Sequence, residues 1–418
     1  MNSHLLKVLF DKFDYYITDP LWKDIPLNKE LMAIVKTKAF QKLNRIKQNG
    51  PTYHVYPGAV HTRYNHCLGV YNLGRLIIIT LLRDSEPPFT EEGIMSFLVA
   101  CLLHDLGHFP YAHALKELAI EEHEALATYI IKRDKELNEA VLATGADIEM
   151  VCAIIDTERK TNDPETKLYR KILSGSLDPD KLDYLNRDAF FTGVPYGEQE
   201  TERIIHALAY KDGNLIIRPK VLSCVEHLLF SKYMMYKNVY WNQDVRSATA
   251  MVKKALLEAI NAKVIKEDDL YYLDDEEFAL IPKTHNFKPL CLIDKERDGE
   301  IFTCTYEKDF DKNSLIETEC SDIYTRREFE NKVYEKLKVI YPQLEYYEVI
   351  VDIPEPIKFE SNIAIFGTSG QIIPFNQIDP LFNKDIKDLF SKSLRKVRIF
   401  TPSFVSKTVV EEVINNGF

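Results

Sequence analysis

No CxxC pair occurs in the 418-residue sequence, and its seven cysteines (Cys67, Cys101, Cys152, Cys224, Cys291, Cys304, Cys320) are odd in number and scattered. That pattern indicates neither a disulfide framework nor a structural zinc ribbon, and it fits a reducing, cytoplasmic setting. Positive charge is in deficit. Lys and Arg total 53 against 64 Asp and Glu, a formal net charge of -11, which argues against a protein whose main task is to coat DNA, RNA or an anionic membrane. Nucleic acid is therefore not the expected partner, although a local basic pocket is compatible with the average. Long apolar runs are missing too. Near the N-terminus Lys7, Asp11, Lys12 and Asp14 interrupt the apolar positions, unlike the continuous core of a secretory signal. The most apolar stretch, 73–82, contains Arg75 and is too short to cross a bilayer, so a soluble chain with no membrane partner is expected. No internal repeat or low-complexity tract is visible.

Hydrophobic residues make up 45% of the chain, enough to bury a substantial core and to divide into two domains. From Asn28 to about Ala262 the texture is helical, punctuated by short loops such as NGPTYHVYPGA and GVPYGE. The runs LGRLIIITLL and SFLVACLLHDLG read as helices packed on most sides. One exception is ALAYKDGNLIIRP, where Asp212-Gly213-Asn214 between β-prone stretches predicts a hairpin. Beyond Lys263 the chain turns acidic and Tyr-rich. Short β-branched or aromatic runs follow (YYEVIVDIP, SNIAIFG, QIIPF, RKVRIFTPSF), with helix candidates in REFENKVYEKLKVIY and SKTVVEEVINN. The expectation is a mainly α fold: a helical bundle with a small β-hairpin over 1–262, then a smaller α+β region over 263–418.

Chemistry concentrates in TEEGIMSFLVACLLHDLGHFPYAH. Thr90, followed by Glu91 and Glu92, suits a helix N-terminus; Ile94, Phe97, Leu98, Cys101 and Leu102 supply a buried face, and Gly107 and Pro110 end the helix. His104 and Asp105 then fall on its last turn. Two metal-competent side chains at an apolar helix end are costly to bury without a partner, and a cation would be one. Upstream lie His61, Arg63 and His66; downstream come His108, His113, His123 and Glu124. In SLDPDKLDYLNRDAFF, Asp178 and Pro179 open a helix in N-cap and N1 order. Asp180, Tyr184 and Asp188 recur on one face with Lys181 beside them. The competing reading is a solvated helix with an Asp183/Arg187 pair on its other side.

Taken in order, HTRYNHCLGV, LLHDLGHFPYAH, EEHE and DPDKLDYLNRD strongly resemble the HD-domain phosphohydrolases, and within them the deoxynucleoside triphosphate triphosphohydrolases. The likeness covers roughly residues 28 to 250. It implies one divalent metal ion, Mn, Fe, Zn, Ni or Mg, held by His66, His104, Asp105 and Asp180. It also implies attack of water at the α-phosphorus of a nucleotide, releasing nucleoside and inorganic triphosphate. His108 and His113 are implied at the phosphate and His123 in proton transfer. Helix-packing roles, or a second metal site for His113 and His123, are the alternatives. Arg63, Lys181 and Tyr184 are implied at the phosphate tail, Asp188 at a sugar hydroxyl, and Gln48 at a position that checks the sugar. Lys232, Tyr236 and Tyr240 fall on the nucleotide-contacting helix. The resemblance further implies a homo-oligomer, dimer or larger, and a nucleotide activator.

The sequence departs from that pattern at identifiable places. Where the family has an aspartate partner for the catalytic histidine, this chain has Lys116, leaving Glu117 or Glu124 as substitutes. An Arg, two His and a Lys of the family's later helix are here Lys232, Tyr236, Asn242 and Gln243. These changes weaken the triphosphate pocket while leaving the metal set complete. They keep two other readings in view: hydrolysis of another nucleotide or phosphoester, and a nucleotide- or nucleic-acid-binding regulator whose HD centre is structural.

Overall fold

The computed structural model describes residues 3–11, 13–118, 120–311, 314–320, 322–357, 363–366, 371–378, 390 and 392–417. Helix α1 (Arg63–Asp84) runs through the first core with 17 of its 22 residues buried. Beside it lies α2 (Glu91–Leu103), in which every residue from Gly93 onward is buried. The Thr90 hydroxyl accepts from the Gly93 amide, as its cap position predicts, and the helix ends at His104. Helix α3 (His123–Arg133) and helix α4 (Pro179–Thr192) complete the frame of the site. Asp178 caps α4 by accepting from the Lys181 amide, with Pro179 at the first helical position. Alone among the described helices, α1 is long and apolar enough to cross a membrane, but 89% of its apolar window is buried inside the fold, as in a core helix.

The hairpin at Asp212-Gly213 is present. Leu208–Lys211 pairs antiparallel with Asn214–Ile217, and both turn residues take left-handed φ (49° and 78°), as a two-residue hairpin turn demands. It is not isolated. Ile217 pairs in parallel with Ile365 of Ala364–Phe366, which continues to Ile372–Pro374, giving one four-stranded sheet. Ile363, Ile365 and Phe375 thereby join the first core. A second hairpin, Tyr15–Asp19 with Lys23–Leu27, has no counterpart in the sequence reading. Its turn is closed by the Asp19 carboxylate, which accepts from the Leu21 and Trp22 amides, and by Lys23 at φ 61°.

Helix α5 (Leu222–Met235) runs into a π-helical turn, Tyr236–Tyr240, a distortion that recurs at functional sites. Helix α6 (Gln243–Asn261) then leads the second core. There it packs against α7 (Ile323–Ile340) and an antiparallel sheet in which Lys396–Thr401 lies between Thr303–Asp309 and Ile350–Asp352. The expected C-terminal helix forms over Lys407–Gly417. Phe109, Ala112, Leu115, Leu118 and Leu126, from the segment around α3, are buried in this second core rather than the first.

Helix α1 packs against α4 at Gly69, where a Cβ would stand 1.8 Å from Asp183 Oδ1 and 2.7 Å from Arg187 Nη2. Both contacts are buried and ion-paired, so they have little freedom to yield. Gly69→Ala is expected to lower stability by about 3 kcal/mol, read as a shift in the denaturant midpoint. An unchanged midpoint would show that the helices separate without cost.

Candidate metal centre and its cavity

Three helix ends converge on one point. His66 lies in the first turn of α1, Asp180 in the first turn of α4, and His104 and Asp105 at the end of α2. His66 Nδ1 is 2.8 Å from Asp183 Oδ2, while its Nε2 is 3.0 Å from Asp180 Oδ1 and 4.0 Å from Asp105 Oδ2. His104 donates from Nδ1 to the Cys101 carbonyl at 3.0 Å, leaving Nε2 buried without a hydrogen-bond partner, 3.5 Å from Asp105 Oδ1. One ring nitrogen of each imidazole is thus tied back and the other turned inward, the arrangement that prepares histidines as ligands. Ligand atoms of His66, His104 and Asp105 all lie within 4.8 Å of one another. Two imidazoles, two carboxylates and an orphaned inward nitrogen fit a divalent cation with mixed nitrogen and oxygen donors.

Electrostatics agree with that fit. Burial opposes ionisation of Asp105, yet His108 and Arg63 hold its carboxyl well below the usual range, with Arg63 Nη1 only 2.5 Å away. Burial also opposes protonation of His66, but hydrogen bonds to Asp180 and Asp183 raise its pKa to about 10. That proton and a bound cation compete for the same Nε2. Behind the centre runs a buried chain of charges: Asp183 accepts from Arg187 Nε at 2.8 Å and from the Trp22 indole, and Arg187 Nη1 reaches Asp19 at 2.8 Å. Asp183 and Arg187 have no exposed surface. The solvated i,i+4 pair of the competing sequence reading is thereby corrected: Asp183 orients His66 from inside the core.

A second histidine group adjoins the first. His108 Nδ1 is 3.2 Å from Asp105 Oδ1, His108 Nε2 is 3.1 Å from His113 Nε2, and the rings of His108 and His123 lie 3.9 Å apart. Gly107 permits this crowding, since a Cβ there would meet the His123 carbonyl oxygen at 2.0 Å. Burial, followed by the charge of Arg63, pushes His108 down to about 4. Burial and His108 hold His113 and His123 well below the ordinary histidine value, so all three rings are neutral proton acceptors at neutral pH. Donor atoms of Asp105, His108 and His123 also lie within reach of one cation. Of the two candidate carboxylate partners, Glu124 Oε2 lies 3.2 Å from His123 Nδ1, and burial raises its pKa. Glu117 is instead taken by Lys253 and Arg326, and Lys116 pairs with Glu122.

The four candidate ligands, His113, His123 and Glu124 border one cavity of about 830 Å³. Every residue to which the family resemblance gives a metal, catalytic or substrate role lines it except His108, which is buried beside Asp105 and His113. Gln48 Oε1 and Asn49 Nδ2 are buried there without hydrogen-bond partners. Asp188 is already engaged: its oxygens accept from His61 Nε2 at 2.8 Å and the Tyr240 hydroxyl at 2.6 Å. Lys181 reaches Asp178 at 2.6 Å. Lys232, Tyr236 and Tyr240 line the wall at helical spacing, and the rings of Tyr236 and Tyr240 are 5.1 Å apart, edge to face. Asn242 and Gln243 are not among the lining residues; Asn242 caps α6. Part of the lining was invisible to sequence reasoning: Trp241, Arg246 and Lys253, with residues 353–357. For Arg246 and Lys253 the only signal was their position on the α6 face that also buries the second core.

Comparison with known proteins places these features in a family. The HD domain model matches residues 63–209, and the model described as HD associated region matches residues 200–415. An uncharacterized protein of Methanocaldococcus jannaschii is 30% identical over 87% of this chain and 74% of its own length. The uncharacterized protein YwfO of Bacillus subtilis is 33% identical over 58% of this chain, which spans only 55% of that relative. A Dictyostelium discoideum protein named as a homologue of the deoxynucleoside triphosphate triphosphohydrolase SAMHD1 is 26% identical over 58% of this chain and 49% of its own. The solved structure of a hypothetical protein from Aquifex aeolicus superposes with a TM-score of 0.73 at 25% identity, over 96% of this chain and 99% of that one.

Because Asp183 orients His66 without lying among the inward donors, Asp183→Asn is expected to weaken Mn²⁺ binding by about 10- to 100-fold, measured by isothermal titration calorimetry. Wild-type affinity in this variant would remove Asp183 from the metal account.

Proposed function

Because this chain belongs to the HD-domain phosphohydrolase superfamily, we propose that it hydrolyses deoxynucleoside triphosphates to deoxynucleoside and inorganic triphosphate. The observation that carries the reading is the orphaned His104 Nε2 at the cavity wall, among His66, Asp105 and Asp180. Those four residues would hold one divalent ion, Mn, Fe, Zn, Ni or Mg. Such an ion supplies Lewis acidity toward a phosphate oxygen and lowers the pKa of water. The C-terminal end of α2 favours a cation, and the N-terminal turns of α1 and α4, both on the cavity, favour phosphate oxygens. Arg63 and Lys181 place positive charge beside those turns, bidentate in geometry for Arg63 and point-like for Lys181. Tyr184, Lys232, Tyr236 and Tyr240 form the nucleotide wall, and the open Gln48 Oε1 can accept from a sugar hydroxyl. Neutral His113 contacts phosphate, His108 fixes it, and neutral His123, with Glu124 at Nδ1, accepts and returns the proton of the attacking water. Asp188 serves the sugar side through His61 and Tyr240, whose hydrogen bonds hold it in place.

A second reading, hydrolysis of another nucleotide or phosphoester at the same centre, is favoured by Tyr236 where the family carries a protonatable side chain. The proposal includes a cytoplasmic protein, assembled as a dimer or larger, with a nucleotide activator as a further partner.

Product analysis tests the reaction. Purified protein is incubated with a panel of dNTPs and NTPs in Mg²⁺ or Mn²⁺, resolved by anion exchange, beside Asp105→Ala. Release of nucleoside and triphosphate by the wild type alone is expected. Release of phosphate or pyrophosphate would keep the metal centre and transfer the substrate class to the second reading. Absence of cleavage, with or without added activator nucleotides, would overturn the enzymatic proposal. Light scattering tests the assembly: a mass of at least two chains is expected, and a monomer mass independent of concentration would contradict it.

A further inference from the structure

The segment bearing His113 belongs, by its packing, to the C-terminal half of the protein. Phe109, Ala112, Leu115 and Leu118 are buried in the second core, while His66, His104, Asp105 and Asp180 ride on helices of the first. Both ends of the segment are gripped from beyond residue 250. At its start Tyr111 holds a left-handed φ of 62°, costly for a bulky residue. Its ring lies 5.4 Å from that of Phe278. At the far end the Glu117 carboxylate is fully engaged. Oε1 accepts from Arg326 Nη2 at 3.0 Å, and Oε2 accepts from Arg326 Nη1 at 3.1 Å and Lys253 Nζ at 2.6 Å. Arg326 is 5% exposed and Lys253 8%, while Glu117 is partly exposed on the cavity wall. Burial opposes the charge on Glu117, but the two cations hold its pKa down to about 2.

We propose that Glu117, gripped by Arg326 and Lys253, is a positioning residue that fixes His113 against His108, so that the C-terminal half of the chain sets the geometry of the phosphate-facing side of the site. The inference rests on the role given to His113 above. A carboxylate whose three hydrogen bonds are supplied by two buried cations is a poor proton partner for His123 and an effective fixed point for the backbone four residues after His113. The fork matters as geometry: Lys at position 326 keeps the charge but cannot make two parallel bonds. The 3.1 Å contact between His108 and His113 then loses one of its two fixed ends.

The test compares the full-length Mn²⁺-loaded protein with Arg326→Lys and Glu117→Gln, using steady-state kinetics and bound metal content. Side-chain ¹⁵N spectra of selectively labelled histidines are taken on the metal-free protein. Arg326→Lys is expected to lower kcat by about tenfold to a hundredfold, the scale of a misplacement near 1 Å. KM and metal content should stay within twofold. The His108 and His113 resonances should shift while those of His61, held by Asp188 elsewhere in the fold, stay in place. Wild-type kcat with unmoved His108 and His113 signals would overturn the proposal, as would a lowered melting temperature with those signals unmoved. If Glu117→Gln does not fold, Arg326→Lys and Lys253→Met carry the same measurement. Should the wild type cleave no phosphoester, the reaction proposed above fails, and the histidine spectra alone decide the positioning role.

Discussion

A carboxylate with no exposed surface, Asp183, is the constraint on which the site depends. Burying an ionised aspartate is affordable only with full hydrogen bonding and a nearby positive charge. Its partners come from three separate parts of the chain: Trp22 from the N-terminal hairpin, His66 from α1 and Arg187 from its own helix. Arg187 in turn requires Asp19, which also closes the hairpin turn. Satisfying Asp183 therefore fixes the crossing of α1 over α4, the position of the hairpin and the rotation of the His66 ring. Gly69 is the complementary requirement, since a side chain there would occupy the carboxylate's space. The candidate metal set follows from this knot: with Nδ1 committed, His66 presents only Nε2 to Asp105 and Asp180.

The second half of the site hangs on a different body. Two cores meet along the cavity. The first presents the candidate metal donors at helix ends, where backbone dipoles favour a cation beside α2 and anionic oxygens beside α1 and α4. The second presents the 109–118 segment, Arg246, Lys253 and the 353–357 wall. Catalysis by such an arrangement depends on the two bodies holding register to within fractions of an ångström. The ion pair from Arg45 to Asp274, half exposed at the arginine, crosses between them, and a pair so placed adds little to stability.

Much of this was legible in the residues. The HD doublet, the Thr90 and Asp178 caps and the Asp-Gly hairpin each carry a local physical signature, because cap and turn chemistry acts over three or four residues. Several elements beyond 263, among them Ile350–Asp352, Lys396–Thr401 and the helices Ile323–Ile340 and Lys407–Gly417, were likewise marked by β-branched runs or helical spacing. What escaped was chemistry set by distant partners. Asp183 and Arg187 have the spacing of an ordinary surface pair, and only Trp22, His66 and Asp19 make them interior. The Tyr15–Leu27 hairpin escaped because Lys23 occupies the left-handed position where a glycine would have announced the turn. Phe109, Ala112, Leu115 and Leu118 keep a helical period whichever core they enter, so their allegiance to the second core could not be read from period alone. Strand Thr303–Asp309 escaped because three of its seven residues are charged and exposed, masking its alternation.

Anomalous scattering from crystals of the Mn²⁺-loaded protein, with data on both sides of the absorption edge, tests the central claim most directly. The account predicts a single peak enclosed by His66 Nε2, His104 Nε2, Asp105 and Asp180. A peak among Asp105, His108 and His123 instead, a pair of peaks, or no peak at saturating metal would contradict it.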